Sequence, residues 1–339
     1  MEITQFNEFP VELKEEWNKL LENGISHVPF LRFEYLRDWW QTRGGGEWPL
    51  DAQLAILVAR NDGEVIGIAP FFVSYHQGIK RLLLLGSIEI SDYLDLIVSE
   101  QNAAAFINSI VTYIKEQIIP ETGLSVIDLY NLVEGSPSVS ILTAAGIASG
   151  FEVTEARLQQ SPYITLPGDW EQYLNSLDKK QRHEIRRKMR RAAESEIPVQ
   201  MYLASEAAKL DEDIDAFLAL MARDPEKARF LTQPMRTQFR QTIHCAFSAG
   251  CLQLAFLTIG GEKAAAYLNF DYLNRVWVYN SGLDRRFMDF SPGWVLLGHL
   301  LQWANVNRRA EFDFMRGDED YKYKFGAVDR FVVRVTLTN

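Results

Sequence analysis

The feature that most constrains this chain is a repeat. The stretch from Gln53, QLAILVARNDGEVIGIAPFFV, has a counterpart 200 positions later in QLAFLTIGGEKAAAYLNFDY, with Gly260-Gly261 standing where Asn61-Asp62-Gly63 stands in the first copy. Gln53 to Arg60 and Val65 to Ser74 alternate as two strands, and Asn-Asp-Gly between them is a strong hairpin signal. In both copies a further strand and a helix follow (Phe106 to Ile118; Trp294 to Asn307). Each then ends on a strand with a central aspartate, Asp128 in VIDL and Asp313 in FDF. Agreement of element order carries more weight than the shared QLA string, so the pattern predicts one α/β unit duplicated in tandem. The expected lobes are 1–150 and 151–339, each a mixed sheet with helices on its faces, meeting at a cleft of the kind ligands prefer.

The copies differ where an anion could bind. In the second, Val276 to Tyr279 reads as a strand, and Asn280-Ser281-Gly282 suits a turn. Ser291-Pro292-Gly293 reads as a helix start, with Ser291 as N-cap and Pro292 at the first helical position. Trp294, Leu297, Leu301 and Ala304 recur at helical spacing, and Ala310 to Met315 reads as a strand stopped by Gly317. A helix N-terminus beside strand ends offers unpaired N–H groups and a favourable dipole to a phosphate. The first copy lacks this start and carries Ser91-Asp92-Tyr93-Leu94-Asp95 instead.

With SPG before an apolar helix and then EFDFMRGDEDYKYKFG, the chain resembles the FemAB-like and CelD-like group of the GNAT superfamily. The resemblance implies transfer of an acyl group from a thioester donor such as acetyl-CoA or another acyl-CoA directly to an amine, without a covalent enzyme intermediate. Such chemistry needs both substrates positioned, N–H donors at the developing oxyanion and a proton acceptor. Asp313, Asp95 and Asp92 are the candidate bases, and the alternative for Asp313 is an ion pair with Arg316 or Lys322. Tyr279, Asn280, Ser281, Arg286, Ser291, Gly293 and Trp294 are the candidate donor-binding residues. Tyr93, Arg316, Tyr321 and Lys322 are candidates for the acceptor side, where the SDYLD stretch is placed by the resemblance. Arg286 precedes FMDFSPG rather than the usual acyl-CoA loop spacing, so a carrier protein and an aminoacyl-tRNA stay open as donors.

Residues 176–195 add a second feature. Between Lys179 and Arg191 stand eight Lys or Arg against one Glu, on a chain whose formal charge is -10. Arg182, Arg186, Arg187 and Arg190 are expected to steer an acidic donor; a solvated helix face, or neutralisation by the acidic helix 211–222, is the alternative. The acidic total argues against general nucleic-acid binding. No run approaches the ~20 apolar residues of a membrane helix and the N-terminus has no signal-peptide core, so a cytoplasmic protein is expected. Cys245 and Cys251 are read as small, partly buried side chains, and no zinc pattern is present. Gly44-Gly45-Gly46 reads as a loop or lid rather than a phosphate loop. No nucleophile elbow or Walker pattern appears, and a non-catalytic binding module of the same fold is the competing class.

Overall fold

The computed structural model describes residues 1–44, 46–76 and 78–338; Gly45, the middle of the glycine triplet, lies outside the described residues. The chain divides into two compact units, 1–160 together with 330–339, and 161–329. The expected division at 150 is thus displaced by ten residues, and the end of the chain, expected in the second lobe, belongs to the first.

The first unit begins with β1 (Glu2–Phe6), α1 (Lys14–Glu22), α2 (Phe33–Thr42), β2 (Gln53–Asn61), β3 (Glu64–His76) and β4 (Ile79–Leu84). It continues through β5 (Ile97–Val98), α3 (Glu100–Tyr113), α4 (Ile119–Thr122), β6 (Val126–Val133), α5 (Pro137–Ala148) and β7 (Glu152–Gln160). The second unit holds β8 (Tyr163–Thr165), α6 (Trp170–Ser176), α7 (Lys179–Ala193), β9 (Val199–Leu203), α8 (Leu210–Met221), α9 (Pro225–Phe230) and α10 (Gln233–Ser248). After these come β10 (Leu252–Ile259), β11 (Glu262–Tyr272), β12 (Arg275–Leu283), α11 (Pro292–Val306), β13 (Glu311–Asp313) and α12 (Asp320–Lys324), and β14 (Phe331–Thr338) returns to the first unit.

The repeat is visible as topology. The first sheet runs β1-β2-β3-β4-β6-β14-β7, with β5 beside β3, and the second runs β9-β10-β11-β12-β13-β8. In each, three antiparallel pairings are followed by one parallel pairing, β4 with β6 and β12 with β13. The two hairpins that announce the copies turn through left-handed residues, Asp62 and Gly63 (φ 49° and 85°) and Gly260 and Gly261 (φ 59° and 87°). Positive φ at both central positions is what a two-residue hairpin of the right twist requires.

Close approaches lock helices to these sheets. A Cβ on Gly67 would lie 2.4 Å from the ring of Phe106, which seats α3 on β3. A Cβ on Gly282 would lie 2.4 Å from the backbone nitrogen of Met221, so β12 touches the end of α8 backbone to backbone. On the other side, Val295, Leu296, Leu300 and Leu301 of α11 join Ile185 of α7 and Ala265, Tyr267 and Val276 of the sheet in one core. No helix among the described residues is long and apolar enough to cross a membrane.

Candidate functional site

In the second unit two parallel strands part. β12 and β13 pair at Arg275/Glu311, Val276/Phe312 and Trp277/Asp313, and there the ladder ends, although β12 runs on to Leu283. A register shift on the β11 side between Leu268/Asn280 and Asn269/Val278 leaves Tyr279 as an extra residue. A bulge of this kind bends a strand away from its neighbour. Asn280, Ser281 and Gly282, expected in a turn, therefore stay in the strand; the bulge lets small polar residues remain extended while the chain bends.

Beyond the bulge, side chains meet the Ser281 backbone. Its N–H donates to Asn280 Oδ1 (2.9 Å) and its carbonyl accepts from Lys227 Nζ (2.6 Å), which also donates to Asn280 Oδ1 (3.0 Å). Lys227 comes from α9, a short helix capped by Asp224, whose Oδ1 accepts from the N–H groups of Glu226 and Lys227. Burial pushes the Lys227 ammonium below its ordinary value; the Asp224 and Glu319 carboxylates work against this, and the Lys322 charge adds to it. Tyr267 and Tyr321 are hydrogen-bonded to each other, and burial pushes both phenols up, so both stay protonated. Lys227, Tyr267 and Glu319 went unnoticed in the sequence. Asp224-Pro225 is a recognisable helix start, but nothing local signals that the following lysine reaches a strand 53 residues on.

Several anticipated roles are taken by structure. Lys322 is buried, and its Nζ donates to the carbonyls of Arg316 (3.1 Å) and Gly317 (2.9 Å) and pairs with Glu319 (2.8 Å). It fastens the loop after β13 instead of presenting a cation. Asp313 is fully buried and its Oδ1 accepts from the N–H of Met315 (2.7 Å), holding that residue in a left-handed turn (φ 54°). Arg316 is half-buried in the same loop. Arg286 is held by Asp284 (2.7 Å) and Glu262 (2.9 Å).

The helix start also differs from its reading. Ser291 is left-handed (φ 52°) and its side chain caps nothing; its carbonyl instead accepts from the N–H groups of Trp294 (3.0 Å) and Val295 (3.1 Å). The Trp294 amide is therefore engaged, while Pro292 does occupy the first helical position. Gly293 has open space where a Cβ would be, its nearest neighbour being Leu283 at 4.0 Å. A cation does reach this first turn, from an unexpected residue: Lys188 of α7 lies 4.0 Å over the Trp294 ring.

On α7 the anticipated steering residues carry partners. Arg186 pairs with Glu171, Arg187 with Glu184 (2.8 Å) and Arg190 with Glu194 (4.0 Å), and Arg182 donates to Asn175 (3.4 Å). The acidic helix α8 neutralises none of these four: Asp211 and Asp215 pair with Arg240, and Asp213 with Lys263.

The SDYLD residues belong to the first unit. Tyr93 is buried under Arg330, whose guanidinium donates to its hydroxyl (3.3 Å), and Asp92 is half-buried. Asp95 is buried, accepting from the N–H of Leu96 (2.8 Å), and burial lifts its carboxyl to about 6 against the hydrogen bonds from Ser138, Leu96 and Ser26. Cys245 is half-buried and Cys251 buried. Among the described residues no cluster of His, Cys, Asp and Glu is arranged to hold a metal ion.

Residues 179–323, from the first residue of α7 to within α12, match the acetyltransferase (GNAT) domain family. No curated protein matches the chain. Among solved structures the fold is similar to that of FemX, at 13% identity, a TM-score of 0.66 and coverage of 98% of this chain and 97% of that one. It is also similar to the C-terminal domain of a putative lysylphosphatidylglycerol synthetase from Agrobacterium fabrum, at 9% identity and a TM-score of 0.58 over 97% and 92% of the two chains. A tandem GNAT protein from the clavulanic acid biosynthesis pathway matches at 13% identity and a TM-score of 0.51, over 98% and 97%. The second unit thus carries the match to the acetyltransferase (GNAT) domain family, in a chain whose fold is similar to that of FemX.

Proposed function

We propose that the chain is an N-acyltransferase that moves an acyl group from a thioester, with acyl-CoA as the favoured donor, directly to an amine. The observation that carries this reading is the parting of β12 from β13 at Trp277/Asp313, which leaves the Ser281 amide facing side chains instead of a strand. A thioester carbonyl laid along β12 would displace Asn280 Oδ1 and accept from the Ser281 N–H, with the Lys227 ammonium adding positive potential as the oxyanion develops. The neutral amine attacks the carbonyl carbon, the C–S bond breaks, and the thiolate leaves with a proton from the Tyr321–Tyr267 pair. The amine proton passes to a carboxylate of the second unit, with Glu319 and Asp313 as the candidates. Donor phosphates are assigned to the Gly293 N–H and the first turn of α11, with Lys188 as the cation.

The test is a thiol-release screen of the purified protein with several acyl-CoAs, a loaded acyl-carrier protein and pooled amines, with an aminoacyl-tRNA arm followed by loss of the ester. Acyl-CoA turnover abolished by Gly293→Asp is expected, because the new carboxylate would face phosphate at ~4 Å, a clash of about 4 kcal/mol near a surface before screening. Turnover with the carrier or the tRNA alone would move the donor assignment. No release in any arm would favour the binding module.

A further inference from the structure

We propose that the first unit carries a ligand site of its own, at the end of α2 against β3, which takes the anionic group of a carboxylate- or phosphate-bearing small molecule. The site is defined by an arginine whose charge is unanswered. Arg43 ends α2 in the left-handed conformation and is only 8% exposed, with its guanidinium 3.3 Å over the ring of Trp40 and 5.9 Å from that of Trp39. Burial alone pulls its affinity for a proton down to about 10, and no carboxylate of the described residues offsets it. Among the described residues its Nε has no acceptor, and neither has the indole N–H of the fully buried Trp39.

Other buried charges of the unit are paired directly. Arg81 is paired with Asp128 (2.9 Å), and Asp128 also receives Arg334 and Thr336. Of the carboxylates close to Arg43 in sequence, Asp38 pairs with Arg37 (2.7 Å), while Glu47 Oε1 accepts from the N–H groups of Ile88 (3.1 Å) and Glu89 (3.2 Å) and its Oε2 has no partner among the described residues. The two tryptophans beside the guanidinium belong to a larger aromatic cluster: Trp39, Trp40 and Trp48 lie 5.5, 5.8 and 5.2 Å from Phe72, and Trp48 lies 5.2 Å from His76. An unpaired guanidinium against such a cluster is costly, and buried donors without acceptors are rare in folded proteins. Donors on Arg43 and Trp39, with no acceptor for either, call for an acceptor from outside, and a negative one also answers the charge.

Three tryptophans in the cluster make the site readable by emission. The full chain, carrying Gly293→Asp so that the second unit's phosphate position does not contribute, is titrated with inorganic phosphate, pyrophosphate and citrate against chloride at matched ionic strength. A saturable change with at least one anion is expected, weakened tenfold or more by Arg43→Gln. Arg43→Met, which removes the unanswered charge, is expected to raise the melting temperature without ligand by about 2 °C or more. No saturable response to any of the three anions, or equal affinity in Arg43→Gln, overturns the proposal. So does a lower melting temperature for Arg43→Met, since the guanidinium would then have a partner within the protein.

Discussion

Asp95 gives the structure a measurable pH signature. In the fold its carboxyl is lifted from 3.8 to about 6 by burial, a shift of about 2 units, or about 3 kcal/mol at ~1.36 kcal/mol per unit. Because the folded-state value is the higher one, the native protein binds the proton more tightly than the unfolded chain does. Stability from this group is therefore present below about pH 4 and is lost as pH rises through 6. Asp95→Asn removes the ionisation while keeping an oxygen for the Leu96 N–H. The stability difference between variant and wild type is then expected to widen in favour of the variant by about 2–3 kcal/mol between pH 4 and pH 8, most of the full shift. Urea unfolding of both proteins at the two pH values measures it, and the other carboxylates cancel in the difference. An unchanged gap would mean that Asp95 titrates normally, leaving neither a buried acid nor a base tuned to neutral pH at that position.

The remaining expectations concern the second unit. Gly282→Ala forces a Cβ to within 2.4 Å of the Met221 backbone nitrogen and is expected to cost about 1–3 kcal/mol or more, whereas Gly298→Ala meets only the flexible Met189 sulfur at 2.8 Å and gains helix propensity; urea midpoints that fail to separate the two would contradict the packing described. Lys227→Met is expected to lower turnover about 100-fold while leaving the melting temperature at pH 7 unchanged or raised, since burial opposes the ammonium there; unchanged turnover removes Lys227 from the site. The depressed Lys227 value also predicts stability rising with pH up to the unfolded value near 10.5, a slope absent from the Met variant. Replacing Arg186, Arg187, Arg190 and Arg191 by Gln is expected to leave melting nearly unchanged while weakening donor binding and flattening its salt dependence. Equal binding across a salt series would make α7 a solvated face.

What the sequence revealed and what it hid follow from range. The hairpins at Asp62-Gly63 and Gly260-Gly261 were legible because two residues of positive φ are a local demand, and the duplicated order followed from them. Asn280-Ser281-Gly282 read as a turn because those residue types are turn formers; that they stay extended depends on the bulge at Tyr279, which is set by pairing with β11. Ser291-Pro292 marked the helix start correctly, yet the capping group is the serine's carbonyl and not its hydroxyl. Lys322 read as a candidate for the acceptor side, but it lies in a short helix and folds back onto its own loop. The string FVVRVTLT is a strand by composition, while its membership of the first sheet depends on partners some 170 to 200 positions earlier.

That last placement bears on the order in which the protein assembles. β14 lies between β6 and β7, the edge strand beside it, so the first sheet is interrupted until residues 331–338 have left the ribosome. At roughly 5–20 residues per second, ~10–35 s separate the emergence of β7 from that of β14. The unit made first waits half-built, with the flanks of β6 and β7 unpaired and adhesive, while residues 161–329 form one unbroken stretch of chain. Nascent chains arrested before residue 331 are thus expected to hold a protease-resistant second unit behind a protease-sensitive first one, the reverse of their order of synthesis.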